Sequence, residues 1–445
     1  MTGQRFLPHT TPLVFTMNFS FILRSSRVLP VAAGLLLPGL ALAQGGLTPN
    51  RIDGSGVPAT PSATNVSTAS PGETEVNILG SYYQQDGSHG AVQGGQGTEQ
   101  LTDVTPTIIL NIPLDTVSRL TANIGADFYA SASTDRIDGV EGLYLSTPSS
   151  HDARYHVDLG YSRENKAKHR IVGVGGGVSK EYDYFSVNVA ASWAKASQDG
   201  NRELSVAGQA FFDKAKLIYP TELRTGQMLV PTDTRQSYNL NLVYSQVISQ
   251  RLQLAVSTEL VYQSGLLSTP FHRVYFQGST LPKVEQLPQR RFKYPVGLRV
   301  SYYASDLVQL RGFYRFYNDN FGITAHTLEL EAPLKVTPFF VVYPFYRYHT
   351  QTAAKYFAAY AQHSLGDEFY TSDYDLSKFS ANKYGLGLRY SPVYGISRFK
   401  TPFSNGAGGR KVAKFKSLDV RYAYYKRNID FQASVVSFDL AFTMP

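Results

Sequence analysis

The chain has 445 residues, with 42 Lys+Arg against 34 Asp+Glu, a net charge of +8 and no cysteine. That length admits one large barrel or two to three ordinary domains, and the absence of thiols excludes disulfides and a lipid-modified amino-terminal cysteine. Aromatics reach 13%, with 31 Tyr and 26 Phe but one Trp, an excess that suits a membrane–water boundary, where one end of a tyrosine ring is apolar and the other wet.

The amino terminus reads as an export signal. Met17 offers an alternative start, Arg24 and Arg27 precede the apolar run Val28 to Leu42, and Ala41-Leu42-Ala43 closes it before Gln44. A charged segment, a short apolar run and small residues at the end predict a secretory signal peptide over 1–43. Pro30 and Pro38 interrupt the run, which is shorter than the ~20 residues of a spanning helix. Residues 44–72, rich in Gly, Pro, Ser, Thr and Ala, predict a flexible lead-in, and 73–445 the barrel itself.

Strands then follow one another. Period-2 alternation predicts about sixteen, near 74–84, 100–112, 117–131, 153–163, 168–179, 182–196, 202–212, 235–248, 251–263, 291–303, 306–318, 323–336, 338–350, 380–391, 414–427 and 430–443. Leu120, Ala122, Ile124, Ala126 and Phe128 alternate with Thr121, Asn123, Gly125, Asp127 and Tyr129. Leu310, Gly312, Tyr314 and Phe316 oppose Gln309, Arg311, Phe313, Arg315 and Tyr317. In a soluble sandwich the apolar face would be the inside; turned outward, the same pattern describes a membrane barrel wall.

The links decide between the two. Those after the second, fourth, sixth, eighth, tenth and twelfth strands are tight. Those at Gln85–Glu99, Ala132–Asp152, Asp213–Thr234, Ser264–Arg290 and Gln351–Phe379 are long, and this alternation is the rhythm of an outer-membrane barrel. Pro392–Ala413 breaks it with a long link where a short one is due, implying a miscounted strand or an elaborated turn. With no spanning helix in the chain, a closed barrel is what satisfies every backbone polar group in a bilayer. The expected fold is therefore all-β, a single closed antiparallel transmembrane β-barrel of about 16 strands in the bacterial outer membrane.

Several segments make the chain resemble a bacterial outer-membrane barrel family designated a domain of unknown function, number 3570. They are His151-Asp152-Ala153-Arg154, Glu181-Tyr182-Asp183-Tyr184, Glu285-Gln286-Leu287-Pro288, Tyr314-Arg315-Phe316-Tyr317-Asn318-Asp319 with Gly322-Ile323, and Arg347-Tyr348-His349-Thr350-Gln351-Thr352-Ala353-Ala354-Lys355-Tyr356-Phe357. The resemblance spans nearly everything after Gly72. It departs at Phe321, where the family tends to have Trp, and at the tail beyond Phe442. It implies the architecture and assembly by the barrel-insertion machinery, but no activity.

With the apolar faces toward lipid, Arg154, Glu259, Arg299, Arg311, Arg315, Arg347, Arg389 and Arg421 are expected in the lumen, with Asp127, Asp158 and Asp439. Rings of like charge would form a constriction selecting small polar or anionic solutes. Paired with carboxylates, the same arginines would only fill and stiffen the lumen.

The remaining motifs point to no catalysis. His151, His156, His326, His349 and His363 fall at spacings that match no compact metal motif, and no nucleophile signature is present. Gly173-Val174-Gly175-Gly176-Gly177 has no following helix and reads as close packing inside a strand, not a phosphate loop. Arg410, Lys411, Lys414 and Lys416 read as a solvated turn, with attraction of acidic lipopolysaccharide or nucleic acid as the alternative. Ala353 to Gln362 has helical character, predicting a plug in the lumen, a lid across the mouth or, as the family-like motif favours, two strands extended above the membrane. The expected function is passive passage of small solutes without cofactor, metal or nucleic acid. A plugged structural barrel whose loops bind a partner is the alternative, and a membrane enzyme the third.

Overall fold

The computed structural model describes residues 72–131, 151–224, 230–404 and 410–444. The export signal and all but the last residue of the lead-in lie outside them, as does the link at 132–150.

Sixteen antiparallel strands form one closed wall. In chain order they are β1 (Thr74–Gly87), β2 (Leu101–Pro113), β3 (Ser118–Ser131), β4 (His151–Asn165), β5 (Arg170–Lys180), β6 (Tyr184–Ala196), β7 (Arg202–Lys216) and β8 (Thr232–Ser249). They continue with β9 (Leu252–Gly265), β10 (Arg290–Lys293 and Val296–Tyr303), β11 (Gln309–Asn318), β12 (Thr324–Glu331 and Leu334–Thr337), β13 (Phe340–Gln351), β14 (Phe379–Tyr390), β15 (Arg410–Arg427) and β16 (Phe431–Met444). Each pairs with its neighbour, and β16 returns to β1 from Thr74↔Met444 to Gly87↔Phe431, so none of the sixteen is left as an edge.

The alternation sets the two faces. Tyr314, Leu310, Leu328, Tyr346, Leu386, Tyr422 and Phe438 stand exposed on the outside, a continuous apolar surface that water would not tolerate but lipid does. Their neighbours one residue away point inward. Contacts that leap over whole strands, such as Tyr343 on β13 to Asp419 on β15 and Arg315 on β11 to Glu259 on β9, are possible only across the concave side.

Two strands expected to be continuous are broken. β10 stops at Tyr294-Pro295 and β12 at Ala332-Pro333, because proline has no N–H to give the ladder. The irregular link is an elaborated turn, not a miscount. Ser397–Ser404 pairs with the first residues of β15, Ser397↔Phe415 to Ser404↔Arg410, and makes a hairpin at the short-turn end.

The helical expectation at Ala353–Gln362 is overturned, and so is its extended-strand alternative. β13 ends at Gln351, and the following amides bond to carbonyls far along the same link or in the link after β11: Ala354 N to Leu376 O at 2.8 Å, Lys355 N to Phe321 O at 2.8 Å, Ala358 N to Thr371 O at 3.1 Å. Amides drawn to distant carbonyls cannot also close i→i−4 turns.

Candidate functional site: a charged inner wall under a loop cap

The eight charged residues singled out in the sequence each alternate with exposed apolar side chains of their own strand, and seven of them lie between β9 and β15, on every strand of that run except β12. Strand register dictates the pairing. Arg347 faces Glu329 directly across β13 and β12, Arg311 faces Glu331 across β11 and β12, and Arg389 faces Asp419 across β14 and β15. The side chains close those pairs at 2.5, 2.8 and 2.7 Å. Arg315 reaches Glu259 at 3.3 Å, and Arg421 reaches Glu331 at 4.0 Å. Among the described residues Arg299 has no carboxylate within salt-bridge distance; its guanidinium lies 5.5 Å from the centre of the Phe313 ring.

Arg154 stands apart. It sits on β4, with Glu181 at 3.7 Å and Asp127 at 3.9 Å. Chain order already separates it from the other seven, since it lies on the fourth strand and they lie between the ninth and the fifteenth.

Aromatic rings shape the same surface. Tyr343 and Phe345 on β13 face Gly387 and Gly385 on β14, and a Cβ added at Gly385 would lie 2.5 Å from the Phe345 ring. The rings lie over the glycines because nothing else occupies that space. Arg421 then stacks on Phe345, 3.8 Å from its centre. On β5 the glycine run lies within the strand, and Gly177 leaves room for the Asp158 carboxylate, which a Cβ there would meet at 1.9 Å.

The long loops at one end fold together over the inner wall. Leu267 and Leu287, from the link after β9, pack with Phe321, Ile323 and Ala354. Val274 and Phe276 pack with Tyr370 from the link after β13. A two-stranded ribbon, Arg273–Val274 with Lys283–Val284, forms within the link after β9. Arg273 joins three links, bonding Val92 O at 2.9 Å and the Glu222 carboxylate at 2.5 Å. Arg427, buried on the inner face of β15, holds Asp375 of the cap at 2.6 Å and Tyr425 at 3.0 Å. Gln351 donates to the carbonyls of Asp375 and Ser377 at 2.9 and 2.8 Å.

Burial perturbs the cap's acids. It lifts Glu99 to about 8, with Asp375 pushing the same way, and Asp373 to about 7, again with Asp375.

The five histidines singled out in the sequence stay apart. On the strands, His156 sits over Gly125, His326 bonds Tyr314 on the outer face at 2.8 Å, and His349 bonds Thr327 inside at 2.8 Å. His363 is buried in the cap against Thr371 O at 3.0 Å, and His151 opens β4. The basic cluster lies on the hairpin end of β15. A sixth histidine, His272, converges with Glu285 and Asp373; loop partners so far apart in the chain leave no spacing signal.

The family described as "Protein of unknown function (DUF3570)" matches residues 57–430. No curated protein matches. Among solved structures, a bacterial polysaccharide outer membrane secretin is 11% identical over 84% of this chain and 99% of its own, at a TM-score of 0.45. The siderophore receptor PirA from Pseudomonas aeruginosa is 9% identical over 82% and 80%, at 0.40, and the outer membrane protein opdK from the same organism 8% identical over 83% and 99%, at 0.37.

Proposed function

The chain belongs to this family, and on that premise we propose that it is an outer-membrane pore passing small polar or anionic solutes without a cofactor. Export by the general secretory route, through the signal at 1–43, is part of the same reading. A closed wall of sixteen strands is wide enough to hold water. One observation carries the proposal: toward the short-turn end of that wall the Arg389 side chain keeps 53% of its exposure and that of Arg311 38%, so charged groups of the inner face meet solvent at that mouth. Charges open to the lumen set an electrostatic barrier for whatever passes.

The test is single-channel conductance of the refolded mature protein in a planar bilayer, with reversal potential measured across a salt gradient. Discrete openings with anion preference support the pore. A folded, inserted and silent barrel sinks it.

The cap favours a second reading, a plugged barrel whose loops meet a partner. Arg427 and Gln351 tie the cap to the wall, as a fixed plug would require. Catalysis is the weakest reading. His349 joins Thr327 on one side and the Gln351 amide oxygen at 3.3 Å on the other, with an amide where an activating triad carries a carboxylate.

A further inference from the structure

We propose that His272, Glu285 and Asp373 form a binding site for a single first-row divalent transition-metal ion, zinc or manganese in class, that clasps two loops of the cap together. The proposal goes beyond the pore reading and holds whether or not the lumen conducts.

Backbone pairing brings the three residues together. Glu285 N bonds His272 O at 3.0 Å, which places the two opposite each other at the end of the ribbon. Tyr370 and Gln286 exchange both of their backbone bonds, at 2.7 and 3.1 Å, which lays the second loop alongside. Asp373 follows three residues later. One donor atom from each residue then lies within 4.8 Å of the others.

A second observation separates this cluster from an ordinary acidic patch. The His272 Nδ1 atom is fully buried and has no hydrogen-bond partner among the described residues. It stands 3.6 Å from Glu285 Oε1, and the two side chains keep 12% and 2% of their exposure. A gap of 3.6 Å is too long for a hydrogen bond, but two donors held about 2.0–2.2 Å from one ion stand about 3–3.6 Å apart. A buried imidazole nitrogen left without a partner costs free energy that a metal bond would recover.

The outer contacts are those of held ligands. Glu285 Oε2 accepts from Thr269 N at 2.6 Å, and Glu285 Oε1 accepts from the Thr371 hydroxyl. The Asp373 carboxylate accepts from Asp375 N at 2.9 Å, and its own amide donates to Thr371 Oγ1 at 3.0 Å. Carboxylates fixed in this way keep a lone pair free for an ion. One nitrogen and two carboxylate donors select a transition metal over calcium or magnesium, whose sites are built from oxygen. Three protein ligands leave a fourth position for water or a substrate atom.

The test is Zn²⁺ and Mn²⁺ titration of the refolded full-length mature protein by calorimetry, with Co²⁺ absorption as a report on the ligand set. We expect one saturable equivalent, a cobalt spectrum with nitrogen and oxygen ligation, and at least tenfold slower tryptic cleavage within 266–289 and 352–378 on metal addition, reversed by a chelator. His272→Ala and Glu285→Gln should each lose the binding, whereas His169→Ala, at the opposite end, should keep it. The chelator reversal on the unaltered protein stands even if a variant fails to fold. No saturable binding, binding of calcium alone, or binding unaffected by both variants would overturn the proposal.

Discussion

The guanidinium of Arg421 lies 3.8 Å from the centre of the Phe345 ring, over a strand position where Gly385 has no side chain to displace it. Three neighbouring strands meet in this contact: β13 brings the ring, β14 the glycine and β15 the cation. Gly385→Ala places a Cβ 2.5 Å from the ring and 2.1 Å from the Tyr422 carbonyl oxygen. Neither the ring nor the strand can yield cheaply, so we expect a loss of about 1–3 kcal/mol. Urea unfolding of the refolded barrel, followed by intrinsic tyrosine fluorescence, measures it; an unchanged midpoint contradicts the packing described.

Arg299 and Arg347 should part company on mutation. Arg347→Gln leaves Glu329, whose side chain is 21% exposed, without its cation, so stability falls by about 1–3 kcal/mol and anion preference weakens. Arg299→Gln orphans no carboxylate within salt-bridge distance, so the barrel keeps its unfolding midpoint while the reversal potential shifts toward cations. The two variants need the same pair of measurements, and identical behaviour would contradict the distinction.

Removing Arg427 should loosen the cap without opening the wall. Its guanidinium stacks 4.6 Å from Phe379 and 4.2 Å from Phe431 and holds Asp375. Breaking a buried ion pair costs about 3–5 kcal/mol, and because the Asp375 side chain is 34% exposed the lower figure applies. Arg427→Gln should speed tryptic cleavage at Lys378 and, in the pore reading, raise single-channel conductance. Stability of the strands, read by amide exchange in β13 and β14, should change little.

The cap should also weaken as pH rises. Burial raises Glu99 to about 8, Asp375 adds to the shift and Arg427 opposes it. The folded cap therefore holds a proton that the unfolded chain releases at ordinary carboxylate pH. The stability this lends is fully present below the ordinary carboxylate pKa and is lost as pH rises toward about 8. Amide-exchange protection of residues 88–100 should fall between pH 5 and pH 9 and become flatter in Glu99→Gln. Protection that rises over that range would reverse the sign.

By itself the sequence determined the wall. Strand number, strand ends to within a few residues and the facing of each side chain follow from a period of two. Leu310 and Tyr314 therefore point to lipid, and Arg311 and Arg315 to the lumen, whatever the rest of the chain does. Where it misread the wall, the cause was local: Pro295 and Pro333 cut strands whose side-chain alternation runs on unbroken. Only the tertiary structure decided the partners. Arg347 meets Glu329 because two strands align in one register. The cap was least legible, since Ala353–Gln362 carries helix-forming residues whose amides are taken by Leu376, Phe321 and Thr371. His272, Glu285 and Asp373 converge for the same reason: loop contacts are made between segments far apart in the chain, and no periodicity records them.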